Sequence, residues 1–163
     1  MSRVPFTEPG KPPSYSVALI AKWFIAWAEA EGEEISNLKL QKLLYYAQGH
    51  YLAEHGRPLF AEPIEAWSHG PVVPRVYHEY KSNGSASIEL PDSDPFTWND
   101  VDPVTAEFLS RVWNTYGGFS AGHLRNMTHE EMPWQKHWQP DECGTQIPQK
   151  EIREFFAQEL TRR

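Results

Sequence analysis

Seven histidines and one cysteine are the side chains of this chain best suited to bind a metal or attack a substrate, so their spacing sets what chemistry is open to it. His50, His55, His69, His78, His123, His129 and His137 are spread along 163 residues. A helical zinc pair places histidines four apart on one face, as in H-E-x-x-H, and no pair here has that spacing. His50 and His55 are five apart and point to different sides of a helix. His129 is followed by Glu130 and Glu131 but by no second histidine at ligand distance. Capping and surface polar contacts are the simpler reading of all seven. Cys143 lies between Glu142 and Gly144, where the neighbouring carboxylate opposes formation of a thiolate nucleophile. A Cys- or His-dependent hydrolase would need partners brought from distant parts of the chain.

Two other patterns imitate binding motifs. Gly117-Gly118-Phe-Ser-Ala-Gly122 looks like a phosphate loop but lacks the Gly-Lys-Ser/Thr ending and a preceding strand. A helix stop followed by a serine cap explains the same residues. Trp67, Trp134 and Trp138 have no immediately adjacent Arg or Lys, as a base-stacking platform would, and read as core. The residues therefore imply no catalytic set, no cofactor and no metal.

The elements that would position these side chains are mostly helical. Ser14 or Ser16 caps a first helix whose face is Val17, Ile20, Ala21, Phe24 and Trp27, with Gly32 as its left-handed stop. Ser36 or Asn37 caps a second, with Leu40, Leu43, Leu44, Ala47 and Tyr51 inward, widened by Leu38, Tyr45 and Leu52. An apolar arc that wide is buried on more than one side, which marks the central helix. Its outward positions are read as Lys39, Gln41, Lys42, Gln48 and Glu54. Gly56 ends it. Ile64 to Trp67 is the best strand, Gly70-Pro71 turns the chain, and Pro74 opens a third helix that Asn83-Gly84 closes. Residues 85–100 are polar, proline-bearing and aperiodic, as in a surface loop. Asp102-Pro103 starts a fourth helix, Ser120 caps a short fifth and Pro133 opens another short turn. Thr145 to Ile147 forms a second short strand beside the first. A last helix carries Ile152, Phe155, Phe156 and Leu160. The expected fold is mainly α, a single-domain bundle of six or seven helices with at most a two-stranded β element. Residues 1–13 are a proline-rich lead-in and 14–163 are the domain.

Composition narrows the partner. A chain that is 40% apolar and 13% aromatic has enough for a core without staples, and one cysteine fits a reducing compartment. The N-terminus has no apolar signal region, and the apolar run at 17–28 is broken by Lys22, so a soluble cytoplasmic protein is expected. A net charge of −7 weakens the prospect of nucleic-acid binding and suits a basic partner. The first two helices have the spacing of a helix-turn-helix, but the second has too few solvated positions to read bases. A DNA-binding regulator is the weaker reading.

Three segments, LKLQKLLYYAQGHYLA at 38–53, IEAWSHGPVVPRVY at 64–77 and FSAGHLRNMTHEEMPW at 119–134, together resemble the SocA-like antitoxin family, also called the Panacea domain. The resemblance implies a mostly helical, non-enzymatic antitoxin that neutralises a cognate, adjacently encoded protein toxin by direct binding. It implies as an alternative an adaptor that delivers the toxin to a cytoplasmic protease. Among the matching segments, His69, Pro71, Arg75, Tyr77, Phe119 and Arg125 are the expected exposed partner-binding residues. Each also has a structural reading: His69-Gly70-Pro71 shapes a turn, Tyr77 is core, and Phe119 pins its loop.

Overall fold

A 19-residue helix that is buried on every side organises the molecule. The computed structural model describes residues 15–142 and 144–161, so the lead-in, the Ser14 cap and Cys143 lie outside them. Seven helices occur among those residues: α1 (Val17–Ala30), α2 (Asn37–His55), α3 (Pro74–Tyr80), α4 (Pro103–Tyr116), α5 (Ala121–His129), α6 (Met132–His137) and α7 (Gln149–Thr161). They start where the sequence places the caps. The side chains of Ser16, Ser36, Asp102 and Ser120 each accept from a backbone N–H in the first turn that the helix itself leaves unpaired. Gly32 and Gly56 both take positive φ after a helix end, at 70° and 71°.

A small antiparallel sheet, order β2-β1-β3, is built from β1 (Glu65–Trp67), β2 (Gly70–Val72) and β3 (Thr145–Gln146). Its pairing of β1 with β3 is the expected one, with Glu65 opposite Gln146. The third strand is an addition. Residues Gly70-Pro71 do not turn the chain; the turn is Ser68-His69, and Ala66 pairs with Pro71. Proline suggests a break, but β2 lies at the sheet edge, where its missing N–H costs no ladder bond. The 85–100 loop is anchored rather than loose: Ile88 is buried, and the Trp98 ring meets Trp23 and Trp27 of α1 edge-on.

The polar side chains of α2 require the main correction. Lys39, Gln41, Lys42 and Gln48 do not face solvent; all are buried, and only Glu54 of the expected outward set is exposed. Each reaches a backbone group in a loop, at a helix cap or on the edge strand. Gln48 accepts from Leu59 N at 2.8 Å and donates to the Phe60 carbonyl at 2.7 Å. Gln41 accepts from Val73 N, Lys42 donates to the Pro71 carbonyl, and Lys39 donates to the Gly117 carbonyl. Asn37 donates to the Tyr77 carbonyl and accepts from Gln41. Irregular backbone is thereby satisfied in the interior, where an unpaired group is costly. The helix-turn-helix reading falls with this result, because α2 has no solvated base-reading face.

The α7 side of α2 is closed by direct packing at Gly49. A methyl group there would lie 2.1 Å from Cε2 of Phe156. Gly49 is thus the close approach that lets the Phe156 ring lie on α2, between Tyr45 and Tyr46 at 5.5 and 5.9 Å.

Two substitutions test this scheme by urea denaturation. Gln48→Ala strands the Leu59 N–H and Phe60 carbonyl and is expected to cost about 2–4 kcal/mol; a loss below about 0.5 kcal/mol would show that these bonds do not hold the 59–60 segment. Gly49→Ala gains about 1 kcal/mol of helix propensity but overpacks the α2–α7 contact, for an expected net loss of about 1–3 kcal/mol. A stabilised alanine variant would contradict the contact.

Candidate functional site

The six expected surface residues are divided by the fold. His69 is exposed in the β1–β2 turn, and Arg75 is exposed in the first turn of α3. Tyr77 is half-buried with its ring 4.9 Å from Trp67, edge-on. Phe119 is exposed beside His123. Arg125 on α5 is half-buried and acts electrostatically on Lys42 and His129. Pro71 is the exception: it is buried in β2, and its carbonyl is taken by Lys42, so it is no part of an exposed surface. The turn reading of Pro71 does not hold either, since the residue lies within β2 opposite Ala66.

His69 and Tyr77 line one groove of about 390 Å³, whose walls are Asn37, Leu38 and Gln41 of α2 and Val72 of β2. Phe119 lines an adjoining hollow of about 520 Å³. The two share Ser36, Ser85 and Ala121, so they meet at the N-terminal end of α2. Arg75, Pro71 and Arg125 line neither. The buried bonds from Asn37 and Gln41 to residues 73 and 77 hold the groove walls at fixed spacing. Beneath it, burial first and Arg125 second push the Lys42 ammonium down to about 7.

A second constellation lies toward the C-terminal end of α2, and the sequence reading did not find it. Tyr45 and Tyr46 donate their hydroxyls to the two oxygens of Glu131, at 2.9 and 2.8 Å. Burial, the largest influence, lifts the Glu131 carboxyl to about 7, and Glu159 and Glu130 add to it. The two tyrosine bonds pull the other way and lose. Tyr116 stacks on Tyr46 with ring centres 4.0 Å apart, and its hydroxyl is 2.6 Å from Nε2 of His50. Tyr46, His50, Tyr116 and Glu131 border a cleft of about 430 Å³, with Met127, Phe155 and Phe156 in its wall. A carboxyl near neutrality next to phenols and an imidazole can exchange a proton or hold a cation. Adjacent tyrosines in an all-round buried helix were the only sequence clue, because Glu131 is 85 residues from Tyr46.

The histidines do not converge. His129 stacks on Trp134 at 3.9 Å, His137 bonds Glu151 at 3.1 Å, and His55 lies on Tyr51 at 4.3 Å. Among the described residues no group of three or more His, Cys, Asp or Glu could hold a metal ion, and no helix is long and apolar enough to cross a membrane.

Comparison with known proteins places this geometry in context. The family described as Antitoxin SocA-like, Panacea domain, matches residues 40–135, from the first turn of α2 into α6. A relative, Antitoxin SocA of Caulobacter vibrioides (strain NA1000 / CB15N), is 45% identical over 132 residues, covering 76% of this chain and 70% of its own length. No solved structure matches the chain.

The Glu131 carboxyl makes stability depend on pH. Its folded value of about 7 lies above the ordinary 4.5, so folding takes up a proton. The group's contribution is full below about pH 4.5 and is lost as pH rises through about 7. Glu131→Gln keeps the neutral shape and should remove that slope. In urea melts from about pH 5 to about pH 8, wild type is expected to lose roughly 2–4 kcal/mol relative to the variant. Parallel pH profiles would show that Glu131 does not titrate in this range.

Proposed function

The chain belongs to the SocA-like, Panacea-domain antitoxin family, and from this we propose that it neutralises a cognate protein toxin, encoded beside it, by direct binding in the cytoplasm. The observation that carries the reading is the family match across α2 to α6, supported by the relative that is itself an antitoxin. The groove at the N-terminal end of α2 is the proposed contact surface. His69 and Tyr77 line it and Phe119 lines the adjoining hollow, from three segments whose backbones are tied to α2, so little loop ordering is needed on binding. Arg75 and Arg125 are proposed as flanking contacts. The mode of action is occupancy, with no bond made or broken.

Co-expression with the neighbouring gene product tests this directly. Growth arrest by that product should be relieved by this chain at one-to-one stoichiometry, and the pair should co-purify. Relief at far below one-to-one would indicate turnover instead, and a lethal or harmless neighbour irrespective of this chain would remove the reading. The toxin's half-life separates the two antitoxin modes: it is unchanged for occlusion and shortened for delivery to a protease. His69→Ala and Tyr77→Ala together are expected to weaken the complex by about 2 kcal/mol or more, as hot-spot residues do, while the exposed Glu89→Ala leaves it unchanged.

A further inference from the structure

The trough beside α7 has a chemistry that the groove at the head of α2 lacks. Its inner part is the cleft floored by Tyr46, Tyr116, Phe155 and Phe156, with Glu130, Glu131 and Glu159 around it. It opens into a hollow of about 570 Å³ that shares Glu130, Phe155 and Glu159 and adds Glu151, Glu154 and Met132. Met132 is 61% exposed, a large apolar side chain left in water at the mouth. Among the described residues, the linings of the two hollows hold the carboxylates of Glu130, Glu151, Glu154 and Glu159, the Glu131 carboxyl, and one Lys or Arg side chain, Lys136. That ammonium already lies 2.8 Å from Glu151.

Carboxylates alone would attract any cation, and apolar rings alone any apolar group. An aromatic floor under a ring of carboxylates selects for both at once. A guanidinium is planar, weakly hydrated and forked, so it can lie on aromatic faces while donating to carboxylate oxygens at its edge. An ammonium is compact and strongly hydrated and gains less from the flat floor. Phosphate-bearing partners would be repelled by the carboxylates, and the chain as a whole carries −7. The two tyrosine hydroxyls occupy one lone pair on each Glu131 oxygen and hold the carboxyl in place, leaving acceptor capacity toward the cleft.

We infer that this trough seats an arginine from a basic segment of the partner protein, stacked on the Tyr116 and Phe155 side and hydrogen-bonded to Glu131 and its neighbours. The inference rests on the antitoxin reading, which supplies a protein partner. It adds a contact surface and fixes the partner's chemistry as cationic and guanidinium-bearing.

The test uses fluorescein-labelled hexa-arginine, hexa-lysine and hexa-citrulline peptides, read by fluorescence anisotropy against the full chain. Hexa-arginine is expected to bind about tenfold or more tightly than hexa-citrulline, and more tightly than hexa-lysine. Glu130→Lys/Glu159→Lys should weaken hexa-arginine by about tenfold or more, while the same charge change at the exposed Glu89→Lys/Asp92→Lys should weaken it less than about threefold. Circular dichroism confirms that both variants are folded, and Glu131→Gln provides a milder second probe expected to lower hexa-arginine affinity. Equal losses in the two charge-reversed variants, or equal binding of arginine and lysine peptides, would overturn the inference. In the co-expression assay, Glu130→Lys/Glu159→Lys should lose affinity for the neighbouring toxin. Unchanged affinity and full rescue would overturn the trough while leaving the antitoxin reading intact. Failure of wild type to rescue would remove the antitoxin reading, and with it the protein partner that the trough requires.

Discussion

Burying α2 on all sides forces its polar side chains to find partners inside the protein. Lys39, Gln41, Lys42 and Gln48 are each almost or wholly shielded from water. An unpaired group of this kind costs about 1–3 kcal/mol, whereas a satisfied one adds only about 1 kcal/mol. The arrangement therefore contributes specificity more than stability: any other seating of residues 59–60, 71–77 or 117 leaves donors and acceptors stranded on both sides. Lys42 shows the tension most clearly. Its ammonium is pushed down toward neutrality by burial, yet it remains because the Pro71 carbonyl on the free edge of β2 needs a donor.

This constraint explains why a protein with so much irregular chain between its helices can present a defined surface. The β1–β2 hairpin, the start of α3 and the end of α4 are all bonded to one rigid rod, so His69, Tyr77 and Phe119 keep fixed relations although they come from separate elements. At the far end of the same rod the means are different. Gly49 admits Phe156, α7 settles onto α2, and Tyr45 and Tyr46 are left to hold Glu131 under it. From Asn37 to Tyr46 the helix rises about 14 Å, which separates a mainly uncharged groove from an acidic, aromatic trough. An acidic antitoxin with two such surfaces is suited to a basic partner that extends beyond a single pocket.

Legibility in the sequence followed the range of the interaction. The capping serines, Asp102-Pro103 and the glycine stops are local devices, and the helices begin and end at them. The β1–β3 pairing was readable from two short β-prone runs, but β2 was hidden by Pro71, which signals a break unless one knows that the strand lies at an edge. Periodicity assigned Gln41, Lys42 and Gln48 to water because polarity normally tracks exposure. The breadth of the apolar arc on α2 already implied that little outside remained for them. Glu131 lies inside the 119–134 segment, yet its pairing with Tyr45 and Tyr46 was not readable, since those partners are 86 and 85 residues away.

Residue order alone determined the helical elements, their ends and the family, since these depend on neighbours within a few turns and on motif identity. It did not determine which polar groups are inside, which face of each helix is free, or how a carboxyl comes to rest against two phenols. Those depend on desolvation, and desolvation is a property of the assembled neighbours and not of the residue. Only the packed fold decides where water is excluded, and so which charges are shifted and which surfaces remain to meet a partner.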